Sequence, residues 1–156
     1  MREIYTTKTV GADMTEALGK KIACALETAG IERAFIAMRG EMGVGKTAFT
    51  RGFAAHFDIK NVKSPTYALL CEYRGKANLY HFDMYRIESE DDLLSIGYDD
   101  YLERRGYVIC EWSENIDDFL PENVLFVSIK RDTGADDARI ISVCATGADF
   151  DNFEIS

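Results

Sequence analysis

The sequence predicts a single α/β domain, a mostly parallel sheet flanked by helices with antiparallel strands added. Three observations lead to it. The short apolar run Ala34–Met38 is followed by the glycine-rich stretch Gly40–Thr47, and then by a pattern that sets Phe49, Phe53 and Phe57 on one helical face. Two apolar and aromatic runs, Tyr67–Tyr73 and Leu79–Asp83, flank the turn Arg74–Asn78 and read as an antiparallel hairpin. A compact apolar strand, Tyr107–Glu111, ends in a carboxylate. With 156 residues the chain has the length of one domain, taken as 1–156.

The remaining elements follow in order. Residues 3–7 form a short first strand. Asp13 has the position of an N-cap with Glu16 in capping-box spacing, opening an amphipathic helix that Gly30 ends. The strand–loop–helix unit occupies about residues 33–57. Pro65 bars a helix and pushes Ser64 toward extended backbone. Ser89 caps a short acidic helix over 90–96, and a second short helix covers 99–105. Residues 116–120 are a brief helical turn stopped by Pro121. Strands at 124–130 and 139–146 flank an Asp/Gly-rich turn, and the tail, residues 147–156, is weakly patterned and expected to fray.

Composition narrows the function classes. A hydrophobic content of 47% with 29% charged residues is that of an ordinary folded domain. The net charge of −9 argues against this surface alone gripping a nucleic-acid backbone, so an RNA partner would be contacted mainly through other proteins. Cys24, Cys71, Cys110 and Cys144 are widely spaced, with no pairing that suggests zinc, and are expected to be reduced core residues. No leader and no apolar run of membrane-spanning length is seen, which points to a cytoplasmic protein with no membrane partner.

The chemistry centres on Gly40-Glu41-Met42-Gly43-Val44-Gly45-Lys46-Thr47, which fits the phosphate-loop pattern G-x-x-x-x-G-K-[ST]. Chance supplies it in a chain of this length roughly once in 200. Glycines let backbone N–H groups curl inward onto phosphate oxygens, the lysine reaches the β and γ phosphates, and the threonine hydroxyl goes to Mg²⁺. Hydrolysis further needs an acidic residue at the end of another strand. Glu111 has that place, as a metal ligand, through water, or as a group that polarises the attacking water. The bland reading is a strand-end carboxylate bonded to a nearby amide. Asp83 alternates with His81 and Tyr85 and is a candidate for holding a metal-bound water or orienting the nucleophile. His81 and Tyr85 then position Asp83, or His81 is simply a buried, hydrogen-bonded histidine. Thr66 reads as a switch residue or a turn residue. Trp112 reads as core, or as a neighbour of the nucleotide if Glu111 is one. The acidic run Glu88–Asp92 reads as a solvated helix start, not a metal site.

Four segments in this order, Gly40–Thr47, Val62–Tyr67 with its Ser-Pro-Thr-Tyr, Tyr80–Arg86 with His-x-Asp-x-Tyr-Arg, and Glu111-Trp112, resemble the TsaE (YjeE) family of bacterial tRNA threonylcarbamoyladenosine synthesis. The resemblance spans about residues 13–112, with weaker echoes at Leu120-Pro121 and Gly134–Arg139. It implies a P-loop ATPase that uses ATP and Mg²⁺, hydrolyses slowly, and joins TsaD and TsaB, resetting that complex between cycles. Carried over, it implies nucleotide binding by Gly40, Gly43, Val44, Gly45, Lys46, Thr47 and Ala48, with Thr66 and Trp112 alongside. Thr47 and Glu111 would hold the metal, and Asp83, Glu111 and Lys46 would serve hydrolysis. Residues 12–15 and the turn near Gly134 would supply a loosely defined adenine pocket.

Three other readings compete, one of them a binding module whose nucleotide state only controls docking, which is partly compatible with a slow ATPase. A GTPase needs D-x-x-G after the loop and N-K-x-D, and neither string occurs. A small-molecule P-loop kinase needs a cationic lid, for which Arg74, Lys76 and Arg86 would have to gather.

Overall fold

The computed structural model describes residues 1–65 and 69–156. In chain order the elements are β1 (Arg2–Val10), α1 (Ala12–Thr28), β2 (Arg33–Arg39), α2 (Lys46–His56), β3 (Leu70–Arg74), β4 (Asn78–Asp83), α3 (Glu90–Ser95), α4 (Tyr98–Glu103), β5 (Gly106–Glu111), β6 (Val124–Arg131) and β7 (Ala138–Thr146), with a 3-10 helix over Ser113–Phe119. The seven strands form one sheet in the order β1-β7-β6-β2-β5-β4-β3. Its centre, β6-β2-β5-β4, is parallel, while β7, β1 and β3 add antiparallel strands at the two sides. The expected α/β class and the β3–β4 hairpin are what the structure has.

Side-chain alternation divides the core in two. Leu79, Tyr107, Ile109, Ile36 and Met38 face α1 and α2, where they meet Ile22, Leu26, Phe49, Phe53 and Phe57. Phe82, Val108, Cys110, Phe35 and Ala37 face the other way, against Leu93, Tyr98 and Ile116 from α3, α4 and the 3-10 helix. All six residues of β5 are buried, as befits a strand covered on both faces. Among the described residues no helix is long and apolar enough to cross a membrane.

Three expectations are corrected. Asp13 does not cap α1: Gly11 holds the cap position at φ 82° with no side-chain bond, and Glu16 instead pairs with Arg51 at 2.9 Å. Only Cys110 is a core cysteine; Cys24 is exposed, and Cys71 and Cys144 are half-buried. Cys144 alternates with buried Val143 and Ala145 and so faces away from α1 and α2. The tail does not fray. Phe150, Phe153 and Ile155 are buried, and the Arg2 guanidinium donates to the carbonyls of Phe150, Asp151 and Phe153, tying the two chain ends together.

Helices α1 and α2 touch backbone to backbone. A Cβ at Gly52 would stand 1.8 Å from the Glu16 carbonyl oxygen, and one at Gly19 would stand 2.1 Å from that of Phe49. Gly52→Ala gains about 1 kcal/mol of helix propensity but forces the helices apart, at an overpacking cost of about 1–3 kcal/mol or more. The expected result is a lower Tm by about 2–8 °C in thermal unfolding. An unchanged or higher Tm would show that the helices do not touch there.

Candidate functional site

Strand β2 delivers the chain to the phosphate loop, whose shape rests on residues that tolerate positive φ. Gly40, Gly43 and Gly45 sit at φ 150°, 77° and 117°. Gly40 also needs its lack of a side chain, since a Cβ would meet the Ile129 carbonyl oxygen at 2.5 Å. Helix α2 starts at Lys46 with no side-chain cap, and the first bond of its opening turn runs from the Phe49 amide to the Gly45 carbonyl. The amides of Lys46, Thr47 and Ala48 are therefore left for a ligand, at the positive end of the helix dipole.

These residues line a cavity of about 620 Å³ together with Gly43, Gly45, Asp83, Tyr85, Arg86, Glu111 and Trp112. Asp83 and Glu111 stand side by side because β4 and β5 are parallel neighbours with Asp83 opposite Glu111. Both carboxylates lie on the sheet face that carries α2. Glu111 is buried, and its Oε2 is 3.1 Å from Nε2 of the fully buried His81. Asp83 accepts a 2.9 Å bond from the Tyr85 amide. Its carboxyl is pushed above the usual carboxylate range by burial first, with the Glu111 charge adding to the shift and the Tyr85 amide, His81 and Lys46 opposing it. Lys46 is nearly buried. Its Nζ donates to the Gly40 carbonyl at 2.9 Å and lies 4.4 Å from the Trp112 ring centre. Trp112 has φ 56° and packs on Tyr85 at 5.0 Å.

The loop is also held from outside. Arg139 Nε donates to the Val44 carbonyl at 2.9 Å while Nη1 donates to those of Asp136 and Ala138, and Arg131 reaches the Met42 carbonyl at 3.5 Å. Neither arginine has a role legible in the sequence, because each lies some ninety residues from the carbonyl it meets; Arg139 only ends the weak echo Gly134–Arg139.

The structure thus gathers Gly43, Gly45, Lys46, Thr47, Ala48, Asp83, Glu111 and Trp112 around one cavity. Gly40 contributes its carbonyl to Lys46 instead of lining the cavity, and the Val44 side chain is buried in the core. His81 meets Glu111, not Asp83. Tyr85 lies past the end of β4 and touches Asp83 through its amide. Thr66 and Tyr67 fall outside the described residues. Gly134 is not among the residues that line the cavity, whereas Ala12 is. The lid imagined for a kinase does not assemble: Lys76 pairs with Asp58 and lines a separate cavity at the start of β4, while Arg86 lies beyond its end.

The residues present fit a nucleotide with Mg²⁺. Free amides and Lys46 suit phosphate oxygens, and the Thr47 hydroxyl with the Glu111 and Asp83 carboxylates offers hard oxygen donors. No group of three or more His, Cys, Asp or Glu that could hold a metal occurs among the described residues. Mg²⁺ commonly takes one or two carboxylates and completes its shell with substrate phosphates and water.

Comparisons with known proteins converge. The profile of the family described as "Threonylcarbamoyl adenosine biosynthesis protein TsaE" matches residues 9–141. The Bacillus subtilis protein named tRNA threonylcarbamoyladenosine biosynthesis protein TsaE is 36% identical over 142 residues, covering 90% of this chain and 85% of its own. The Haemophilus influenzae protein of the same name is 40% identical over 131 residues, covering 81% and 80%. The crystal structure of Bacillus subtilis YdiB superimposes with a TM-score of 0.77 at 32% identity, covering 94% of this chain and 88% of that one.

The raised Asp83 value has a consequence for stability. Below the usual value of 3.8 the carboxyl is protonated folded or unfolded, so its contribution is fully present. As pH rises past that value the unfolded chain ionises first, and stability is lost until the folded form ionises too. Asp83→Asn should therefore have a higher Tm than the natural chain at pH 7, with the advantage shrinking toward pH 4. Thermal unfolding at both pH values checks this, and an advantage that is absent at pH 7 or grows on acidification overturns it.

Proposed function

The chain belongs to the TsaE family, and on that premise we propose that it is the Mg²⁺-dependent, ATP-binding and slowly hydrolysing subunit of the tRNA threonylcarbamoyladenosine synthesis complex, where its turnover resets TsaB and TsaD for the next cycle. One observation carries the reading. The open amides of α2, Lys46 and Thr47 share a cavity with two strand-end carboxylates, so a phosphate-binding half faces a half equipped to direct water.

Each residue has a role in this reading. The amides of Lys46–Ala48 and the Lys46 ammonium bind the phosphates. Thr47 and Glu111 hold Mg²⁺, which when bound neutralises charge on the phosphate oxygens. Asp83 accepts a hydrogen bond from the attacking water and aims it at the terminal phosphorus. His81 keeps the Glu111 carboxylate turned toward the cavity. Trp112 and Tyr85 wall the site and limit water. ATP is the expected nucleotide, since no guanine-reading N-K-x-D is available. With a net charge of −9, the chain reaches tRNA through its partners.

Two measurements test this. Lys46→Ala should lower ATP hydrolysis at least about a hundredfold and weaken nucleotide binding, while Asp83→Ala should keep ATP affinity and lose hydrolysis. Normal turnover in either variant removes that residue from the mechanism. Reconstitution with TsaB and TsaD should give many rounds of modified tRNA with this chain and about one without it. Equal yields would remove the resetting role, and phosphate transfer to a small metabolite would favour the kinase.

A further inference from the structure

We propose that Arg86 is a catalytic residue of the same site, an arginine supplied from within the chain to the terminal phosphate as charge shifts during transfer. The inference rests on the ATP-hydrolysis reading and adds to it a group no motif role covers.

Three cationic side chains line the cavity: Lys46, Arg51 and Arg86. Two are committed. Lys46 is bonded to the Gly40 carbonyl beside Trp112, and Arg51 Nε is 2.9 Å from Glu16 Oε1. The Arg86 side chain is exposed and, among the described residues, makes no hydrogen bond or ion pair. Its backbone is the opposite of free. The Met84 amide donates to the Glu111 carbonyl at 3.0 Å, and the Ile87 amide to that of Met84 at 3.1 Å. Asn115 Nδ2 donates to the carbonyls of Met84 and Tyr85 at 2.9 and 3.3 Å, and Met84 and Ile87 are buried on either side. A free guanidinium thus projects from a fixed turn three residues after Asp83.

The chemistry of transfer gives such a group work. The water oxygen bonds to the terminal phosphorus, the bond from phosphorus to the bridging oxygen breaks, and its electron pair stays on ADP. The water's proton leaves with inorganic phosphate or to solvent. Arg86 neither gains nor loses a proton. Its planar fork bonds two oxygens at once, which a lysine cannot do. Lys46 and the α2 amides already serve the ground state from the loop. A cation arriving from β4, two strands away, meets the terminal phosphate from the side where Asp83 holds water, and an arginine so placed is worth about 10³–10⁵ in rate.

The test compares the natural chain with Arg86→Ala, Arg86→Lys and Lys46→Ala, each with Mg²⁺. Hydrolysis is followed by single turnover. Binding of ATP, and of ADP with aluminium fluoride as a mimic of the phosphoryl in transfer, is followed by calorimetry. Arg86→Ala should keep its Tm, bind ATP within about threefold, hydrolyse on the order of a thousandfold more slowly, and lose tight binding of the mimic. Arg86→Lys should recover less than a tenth of the rate. Hydrolysis by Arg86→Ala at the natural rate, with Lys46→Ala inactive, overturns the inference and leaves the ATPase reading standing. Weaker ATP binding at an unchanged rate also overturns it, making Arg86 a ground-state contact. Normal hydrolysis by Lys46→Ala fells the ATPase reading and this inference with it.

Discussion

The register between β4 and β5 is the constraint on which the site depends. It places Asp83 opposite Glu111 and His81 opposite Ile109, on the sheet face that carries α2. A slip of β4 by one residue would turn Asp83 into the apolar layer beneath α3 and α4, away from Glu111. Burial on both faces makes such a slip expensive. Phe82, Val108 and Cys110 fill one layer, and Leu79, Tyr107 and Ile109 fill the other, so neither strand has a polar face to trade. Packing of the kind that stabilises any parallel sheet therefore also sets the distance between two acids at its carboxyl end, the usual place for a ligand in such folds.

The cost of that arrangement is concentrated where the strands stop. Asp83 is held partly out of water beside another carboxylate, which is why its carboxyl resists ionisation. Glu111 is buried against a single histidine, and Trp112 sits in a left-handed conformation that a bulky side chain rarely adopts. Strain and unfavourable charge thus gather within three residues of the ends of β4 and β5. Lys46 answers part of the negative charge, and its position over the Trp112 ring links the strained residue to the cation.

Much of this was legible in the sequence where the signal is local. The apolar run ahead of Gly40, the three phenylalanines of α2 and the Ser89 cap, which accepts from the Asp92 amide at 3.3 Å, each follow from neighbours within a few positions. What escaped depends on partners that only the fold supplies. Asp13 has the chemistry of a cap, but Gly11 takes the position, bonding its amide to the Asp137 carbonyl across the sheet edge. His81 alternates with Asp83 and looks like its helper, yet its Nε2 meets Glu111 on the next strand. The tail lacks a pattern because its three buried residues fit irregular backbone, held by a guanidinium from the opposite end of the chain.

The loop itself shows how such distant partners prepare a binding site. Lys46 takes the carbonyl of Gly40, Arg131 that of Met42, Arg139 that of Val44, and the Phe49 amide that of Gly45. Each donor holds a carbonyl, and since carbonyl and amide of a peptide unit point opposite ways, fixing a carbonyl also fixes the direction of the amide that follows it. Two of the four donors come from the strands flanking the β6–β7 turn, so the hand that shapes the loop belongs to the antiparallel half of the sheet, not to the strand–loop–helix motif alone. On the proposed reading, an anion entering this site would meet amides already held in place, and only Lys46 would have to exchange the Gly40 carbonyl for it. The reorganisation has been done by folding, the condition under which fixed dipoles act most strongly on developing charge.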